Sequence, residues 1–112
     1  MGFEVSLRMS DQQAQMELSG DLDASSAGKF KEMVELAATR APKRLVLMMS
    51  ELRYMASAGL RVLIFAKQKM GTAAEIFLVG AQEGVLQTVM LTGFDRSIVL
   101  LDELPDTLAW NG

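Results

Sequence analysis

Apolar and polar residues alternate along two early stretches of the chain. Phe3, Val5, Leu7 and Met9 oppose Glu4, Ser6 and Arg8, and Ala14, Met16 and Leu18 oppose Gln15, Glu17 and Ser19. A period of two predicts strands with one buried face, and the short polar link Ser10-Asp11-Gln12-Gln13 predicts that they form an antiparallel hairpin. The spacing then changes. Phe30, Met33, Val34 and Ala37 recur at helical intervals, with Lys29, Lys31, Glu32 and Glu35 elsewhere on the surface, which predicts an amphipathic helix. Asp23 suits its N-cap, and Ala41-Pro42 closes it because proline disfavours helix at the preceding residue.

Residues 44–50, Arg-Leu-Val-Leu-Met-Met-Ser, are nearly all apolar, the pattern of a strand covered on both faces. Residues 51–56 read as a loop, followed by a second helix from Ser57 to about Met70 that Gly71 ends. A buried strand at 75–79, a third helix before Gly93 and a short strand at 97–101 follow. The segment 102–110 has room for a final helical turn or two, with Pro105 in the first turn. The order ββαβαβαβα predicts an α/β fold: a mixed, mostly parallel sheet with an N-terminal antiparallel hairpin strand and right-handed crossovers. No linker, repeat or low-complexity segment interrupts it, so residues 1–112 read as a single domain.

Composition narrows the chemistry. Half of the 112 residues are apolar, so a core can form without staples. The chain has no cysteine and no histidine, which removes disulfides, thiol chemistry, the commonest general base and the commonest metal ligand. Nine methionines are plausible core filler. The net charge of −3, from 11 basic and 14 acidic residues without a basic stripe, argues against nucleic acid. No apolar run approaches the roughly 20 residues that span a bilayer, and the first ten residues lack the features of a signal peptide. Gly2 and Ser6 fit a loose myristoylation pattern, but the alternation there reads better as a strand. The expectation is a cytoplasmic protein with no membrane partner.

Enzymatic readings fail on particular residues. A nucleophile elbow needs G-x-S-x-G, but Met55-Ala56-Ser57-Ala58-Gly59 lacks the first glycine, and without histidine no Ser-His-acid triad forms. A phosphate loop fails around Gly28-Lys29, where Asp23 and Phe30 occupy positions that need glycine and Ser/Thr. Asp21, Asp23 and Asp102 do not have calcium-loop spacing and read as a cap and surface charges. The expectation is a chain that is not an enzyme and holds neither cofactor nor metal.

Ser57 is the residue these exclusions leave. It falls where a parallel strand gives way to a helix, at the carboxyl end of the sheet, where such folds place their sites. Serine there suits an N-cap. A phosphate on it would add about −1.5 to −2 charge near the positive end of the helix dipole, which the fold can tolerate and a docked partner need not. On the same helix, Leu60, Leu63 and Ile64 suit the core. Arg61, Phe65 and Gln68 lie on another side, where Phe65 fits either beneath a neighbouring helix or against a partner.

The chain resembles a STAS domain, and most of all the bacterial anti-sigma factor antagonists. The likeness runs through Leu18-Ser19-Gly20-Asp21-Leu22-Asp23, the hydrophobic strand 45–52, the Gly93-Phe94 turn and the strand 97–103. It is most specific at residues 54–64, Tyr-Met-Ala-Ser-Ala-Gly-Leu-Arg-Val-Leu-Ile, which resemble the family's D-S-x-G-L-x-x-L motif. The resemblance implies a sheet in roughly sequential strand order with helices wound as a β-α superhelix. It also implies that Ser57 is phosphorylated by an anti-sigma factor that is an ATP- and magnesium-dependent serine kinase. The unphosphorylated form binds this kinase and frees a sigma factor, and a phosphatase resets the switch. It places partner contacts at Asp23, Ala56, Ser57, Ala58, Gly59, Leu60 and Arg61. Ala56 stands where the family has aspartate, so a carboxylate acceptor for the serine is gone and more of the local polar work falls to Asp23. Single STAS domains that serve as accessory subunits of bacterial lipid-transport ATPases offer a second reading, though these often carry threonine at the acceptor position. Direct nucleotide binding is a third, weakened by the missing phosphate loop.

Overall fold

The computed structural model describes residues 2–109. The elements are β1 (Glu4–Met9), β2 (Gln13–Leu22), α1 (Ala27–Ala38), β3 (Arg44–Met55), α2 (Ser57–Met70), β4 (Glu75–Val79), α3 (Glu83–Leu91) and β5 (Val99–Leu101). Single 3-10 turns occur at Phe94–Ser97 and Asp106–Leu108. The sheet runs β1-β2-β3-β4-β5 in sequence order, with β1 antiparallel to β2 and every other pair parallel. This is the mixed sheet that the alternation of elements predicts. The predicted closing helix reduces to the 3-10 turn at Asp106–Leu108, and its end at Trp110 lies outside the described residues.

All three helices lie on one face of the sheet. Phe30, Val34 and Ala37 of α1, Leu60, Leu63 and Ala66 of α2, and Val85 and Val89 of α3 pack over Met16, Leu18, Leu45, Leu47, Ile76 and Leu78. The opposite face carries a second, smaller cluster in which Val46, Phe77 and Val79 meet Leu108. Successive residues of β3 and β4 thus enter different clusters, which is why both strands read as unbroken apolar runs.

Two expectations change. Residues 51–55 continue β3 instead of forming a loop, because β2 extends to Leu22 and pairs Gly20 with Leu52, Asp21 with Tyr54 and Leu22 with Met55. Register shifts between Glu17 and Ser19, and between Gly20 and Asp21, break the alternation there and leave Glu51, Arg53 and Tyr54 exposed, so the sequence looks loop-like. The alternation puts Gln15 on a solvated face and Gln13 in the polar link, yet both lie in β2 and are buried, at 4% and 6% exposure. The Gln13 amide donates to the Leu108 carbonyl (2.8 Å) and its oxygen accepts from Arg44 Nε (3.0 Å).

Leu47 is fully buried on β3, opposite Met16 and Leu78 on the flanking strands. Leu47→Ala should therefore cost about 2–5 kcal/mol through lost burial and a residual cavity. Urea unfolding followed by circular dichroism measures this as a lower midpoint.

Candidate functional site

The ends of β2 and β3 set the geometry. The Ala56 N–H donates to the Leu22 carbonyl at 2.8 Å, joining the last paired residue of β2 to the start of α2. Asp23 and Ser57, each one residue further on, emerge from the same end of adjacent strands. Gly59 permits this closeness: a Cβ there would lie 2.7 Å from Leu22 Cδ2 and Cγ and 2.8 Å from Met55 Cγ. Leu22 and Met55 are themselves buried, so neither has free space to retreat into.

Ser57 is exposed and is the first residue of α2. It is not the N-cap. Ala56 holds that position in extended conformation, and no side chain caps the helix. The Ala56 carbonyl instead accepts from Gly59 N (2.9 Å) and Leu60 N (3.2 Å), opening the helix through backbone bonds alone. The capping role expected of Ser57 fails because its own backbone is already helical, so its hydroxyl does not occupy the N-cap's place over the first amides. Ala58 is half-buried, Gly59 and Leu60 are buried, and Arg61 is exposed. Of the seven residues the sequence singles out, Ser57 and Arg61 form the accessible surface, while Gly59 and Leu60 hold the helix against the sheet.

Asp23 is also displaced from its expected role. The N-cap position of α1 belongs to Ser26. Asp23 organises the preceding turn: one carboxylate oxygen accepts from Ser25 N (3.0 Å), Ser25 Oγ (2.7 Å), Ser26 N (3.2 Å) and Ser26 Oγ (3.2 Å). Its backbone carbonyl accepts from Ala27 N at 2.9 Å. The Ser25 hydroxyl bond leads the causes that hold the Asp23 pKa below the usual aspartate value; desolvation opposes it, and the Ser25 amide and the Ser26 hydroxyl and amide lower it further. Sequence reading named Asp23 but missed Ser25 and Ser26; the D-x-S-S spacing, suited to an Asx turn, was the available signal.

Around this centre, Arg53 and Asp21 form an exposed ion pair at 3.5 Å, a contact of little energetic weight, and Tyr54 is 54% exposed. Phe65 is half-buried against the main core with Lys31 Nζ 4.8 Å above its ring, so α1 covers it. Among the described residues no group of three acidic side chains comes close enough to hold a metal ion, and no helix is long and apolar enough to cross a membrane. A cleft of about 510 Å³ opens beside Glu4, Glu17, Ser19, Lys29, Ser50 and Glu51.

The exposed Ser57 thus stands on the first turn of a helix, at the carboxyl end of the central parallel strand of a small α/β domain. The chain belongs to the STAS domain family, whose model matches residues 5–109. It is 24% identical over 95 residues to the anti-sigma-F factor antagonist RsfB of Mycobacterium tuberculosis, covering 85% of this chain and 78% of that protein. An anti-sigma factor antagonist from Mycobacterium paratuberculosis superposes with a TM-score of 0.85 at 22% identity, covering 96% of this chain and 92% of the other. The Bacillus cell fate determinant SpoIIAA has been solved in phosphorylated form, with a TM-score of 0.71, 13% identity and coverage of 93% and 94%. Its unphosphorylated form gives a TM-score of 0.72 at 15% identity, covering 90% of each chain.

Three outcomes follow from the geometry. Ser57→Ala should leave stability within about 0.5 kcal/mol of the parent in denaturant unfolding, since no cap is lost. Gly59→Ala should be destabilising: overpacking of about 1–3 kcal/mol outweighs the roughly 1 kcal/mol that alanine gains in helix propensity, and the melting temperature falls. A carboxyl whose folded pKa is depressed contributes stability above its unfolded pKa and loses it as pH falls through the folded value. The Asp23 carboxyl signal in a carbon-13 NMR titration should therefore have its midpoint below the ordinary aspartate value of about 3.9, and Asp23→Asn should flatten the acid side of the stability profile below that pH.

Proposed function

We propose that this protein is an anti-sigma factor antagonist whose switch is the phosphorylation of Ser57. The observation that carries the reading is the exposed Ser57 hydroxyl, held on the first turn of α2 by the close contact of Gly59 with Leu22 and Met55. The relatives support it: RsfB is named as an antagonist of an anti-sigma factor, and SpoIIAA exists in unphosphorylated and phosphorylated forms. They favour this reading over the transporter-subunit alternative.

In this account the protein is a cytoplasmic binding partner and kinase substrate, with no catalytic machinery of its own. The unmodified form docks through Ser57, Arg61 and the turn at Asp23 onto an anti-sigma factor that is a serine kinase and itself binds ATP and magnesium. That docking frees the sigma factor. The kinase then phosphorylates Ser57, and a phosphatase removes the phosphate.

The phosphate suits its own domain better than it suits the partner. The first turn of α2 has no acidic residue, and Ala56 replaces the family's aspartate beside Ser57, so no carboxylate within this turn repels the new charge. Helix-terminal amides and the dipole favour an anion there by about 0.3–1 kcal/mol. A partner surface fitted to a neutral hydroxyl meets a desolvated dianion instead. Repulsion and desolvation together remove roughly 3 kcal/mol, about a hundredfold in affinity.

The test is incubation with the candidate anti-sigma serine kinase and Mg-ATP, followed by mass-spectrometric mapping and calorimetry. Phosphate should appear on Ser57, Ser57→Ala should bind but stay unmodified, and the phosphorylated form should bind about a hundredfold more weakly. Modification of Ser25, Ser26 or Thr72 with Ser57 untouched contradicts the reading.

A further inference from the structure

The helix-covered face of the sheet is sealed by three helices, but the other face depends on one short segment. Beyond β5 the chain turns back across the sheet, and Leu104 and Leu108 pack with Val46, Met48, Phe77, Val79, Val99 and Leu101. This cluster is separate from the main core. The segment is thinly built. Its regular structure is the 3-10 turn Asp106–Leu108, with no side-chain cap, closed by local bonds from Leu108 N to the Pro105 carbonyl (2.9 Å) and from Ala109 N to the Asp106 carbonyl (3.2 Å). A side-chain bond ties it to the sheet: Gln13 Nε2 donates to the Leu108 carbonyl at 2.8 Å, with Gln13 held in turn by Arg44.

Gln15 lies two residues along β2 from Gln13 and therefore on the same face. It pairs across β3 with Val46, the residue that Leu108 helps to bury. Gln15 is 4% exposed, and its side-chain oxygen is buried without a hydrogen-bond partner. A buried carbonyl oxygen without a donor disfavours the closed arrangement, and water would satisfy it once the cover lifts.

We propose that residues 102–109 form a strap that opens as a separate unit while the sheet and its three helices stay folded. Opening breaks the Gln13–Leu108 bond, gives up the burial of two leucines, hydrates Gln15 and uncovers an apolar strip along β3, β4 and β5. The main core loses nothing in that step, so opening requires much less than global unfolding.

The absence of native cysteine makes thiol labelling a clean test. Val79→Cys and Val46→Cys place thiols beneath the strap, and Val34→Cys places one in the helix-covered core; all three valines are at most 2% exposed. Each full-length variant is treated with a small thiol reagent in water and in low urea. The strap-side thiols should react at least about 100-fold faster than Val34→Cys, because they are exposed by local opening. Their rates should barely change with low urea, since little surface is uncovered, whereas the Val34→Cys rate should climb steeply. Adding Gln13→Leu should speed labelling of Val79→Cys about tenfold, the factor that loss of one buried hydrogen bond predicts. If either strap-side variant fails to fold, the other carries the test. Strap-side labelling that matches Val34→Cys in rate and in urea dependence overturns the proposal.

Discussion

The structure turns on the contact between Gly59 and the ends of β2 and β3. A helix axis normally stands some distance from a sheet because side chains intervene, but here the first turn of α2 has none at the point of contact. Leu22 and Met55 occupy the space a Cβ would need, and the Ala56 N–H reaches the Leu22 carbonyl at 2.8 Å. This closure explains why both strands are long. β2 and β3 stay paired to Leu22 and Met55 because α2 begins where their pairing ends. It also fixes the direction in which Ser57 faces, since the residue two positions later is pinned to the core while Ser57 stays in solvent.

The two faces of the sheet have different physical roles. The helix side carries the large apolar cluster, including Phe30, Met16, Leu47 and Leu63, and accounts for most of the burial. The other side mixes a small apolar cluster with the buried glutamines Gln13 and Gln15, one bonded on both ends of its amide and one with its oxygen unpaired. Stability and the presentation of Ser57 therefore rest on the helix side, and the other side is the more easily opened.

Much of this was legible in the sequence because the periodicities are strong where burial is one-sided. The hairpin, the faces of α1 and α2 and the runs of β3 and β4 follow directly from spacing. The misreadings have local causes. Residues 51–55 looked like a loop because register shifts interrupt the alternation and leave Glu51, Arg53 and Tyr54 in solvent. Gln13 reads as part of a polar link because its burial comes with a bond to Leu108, 95 residues away, and no local pattern encodes that. For Ser57 and Asp23 the sequence located the right residues and misjudged their bonding. Serine before a helix suggests a cap, but the cap position fell one residue earlier, on Ala56. Asp23 gripped the turn of Ser25 and Ser26 rather than α1 itself.

The central claim is that a charge placed on Ser57 is absorbed by the start of α2 and acts on the partner, leaving the fold as it is. The direct measurement is a comparison of amide proton–nitrogen NMR spectra for the unmodified and Ser57-phosphorylated protein, with a thermal melt of each. The account predicts shift changes confined to residues near 22–26 and 55–61, with Ala58, Gly59 and Leu60 moving most, and melting temperatures that agree within a few degrees. Shift changes spread through Leu45, Leu47, Ile76 and Leu78, or a collapse of spectral dispersion on phosphorylation, would contradict it.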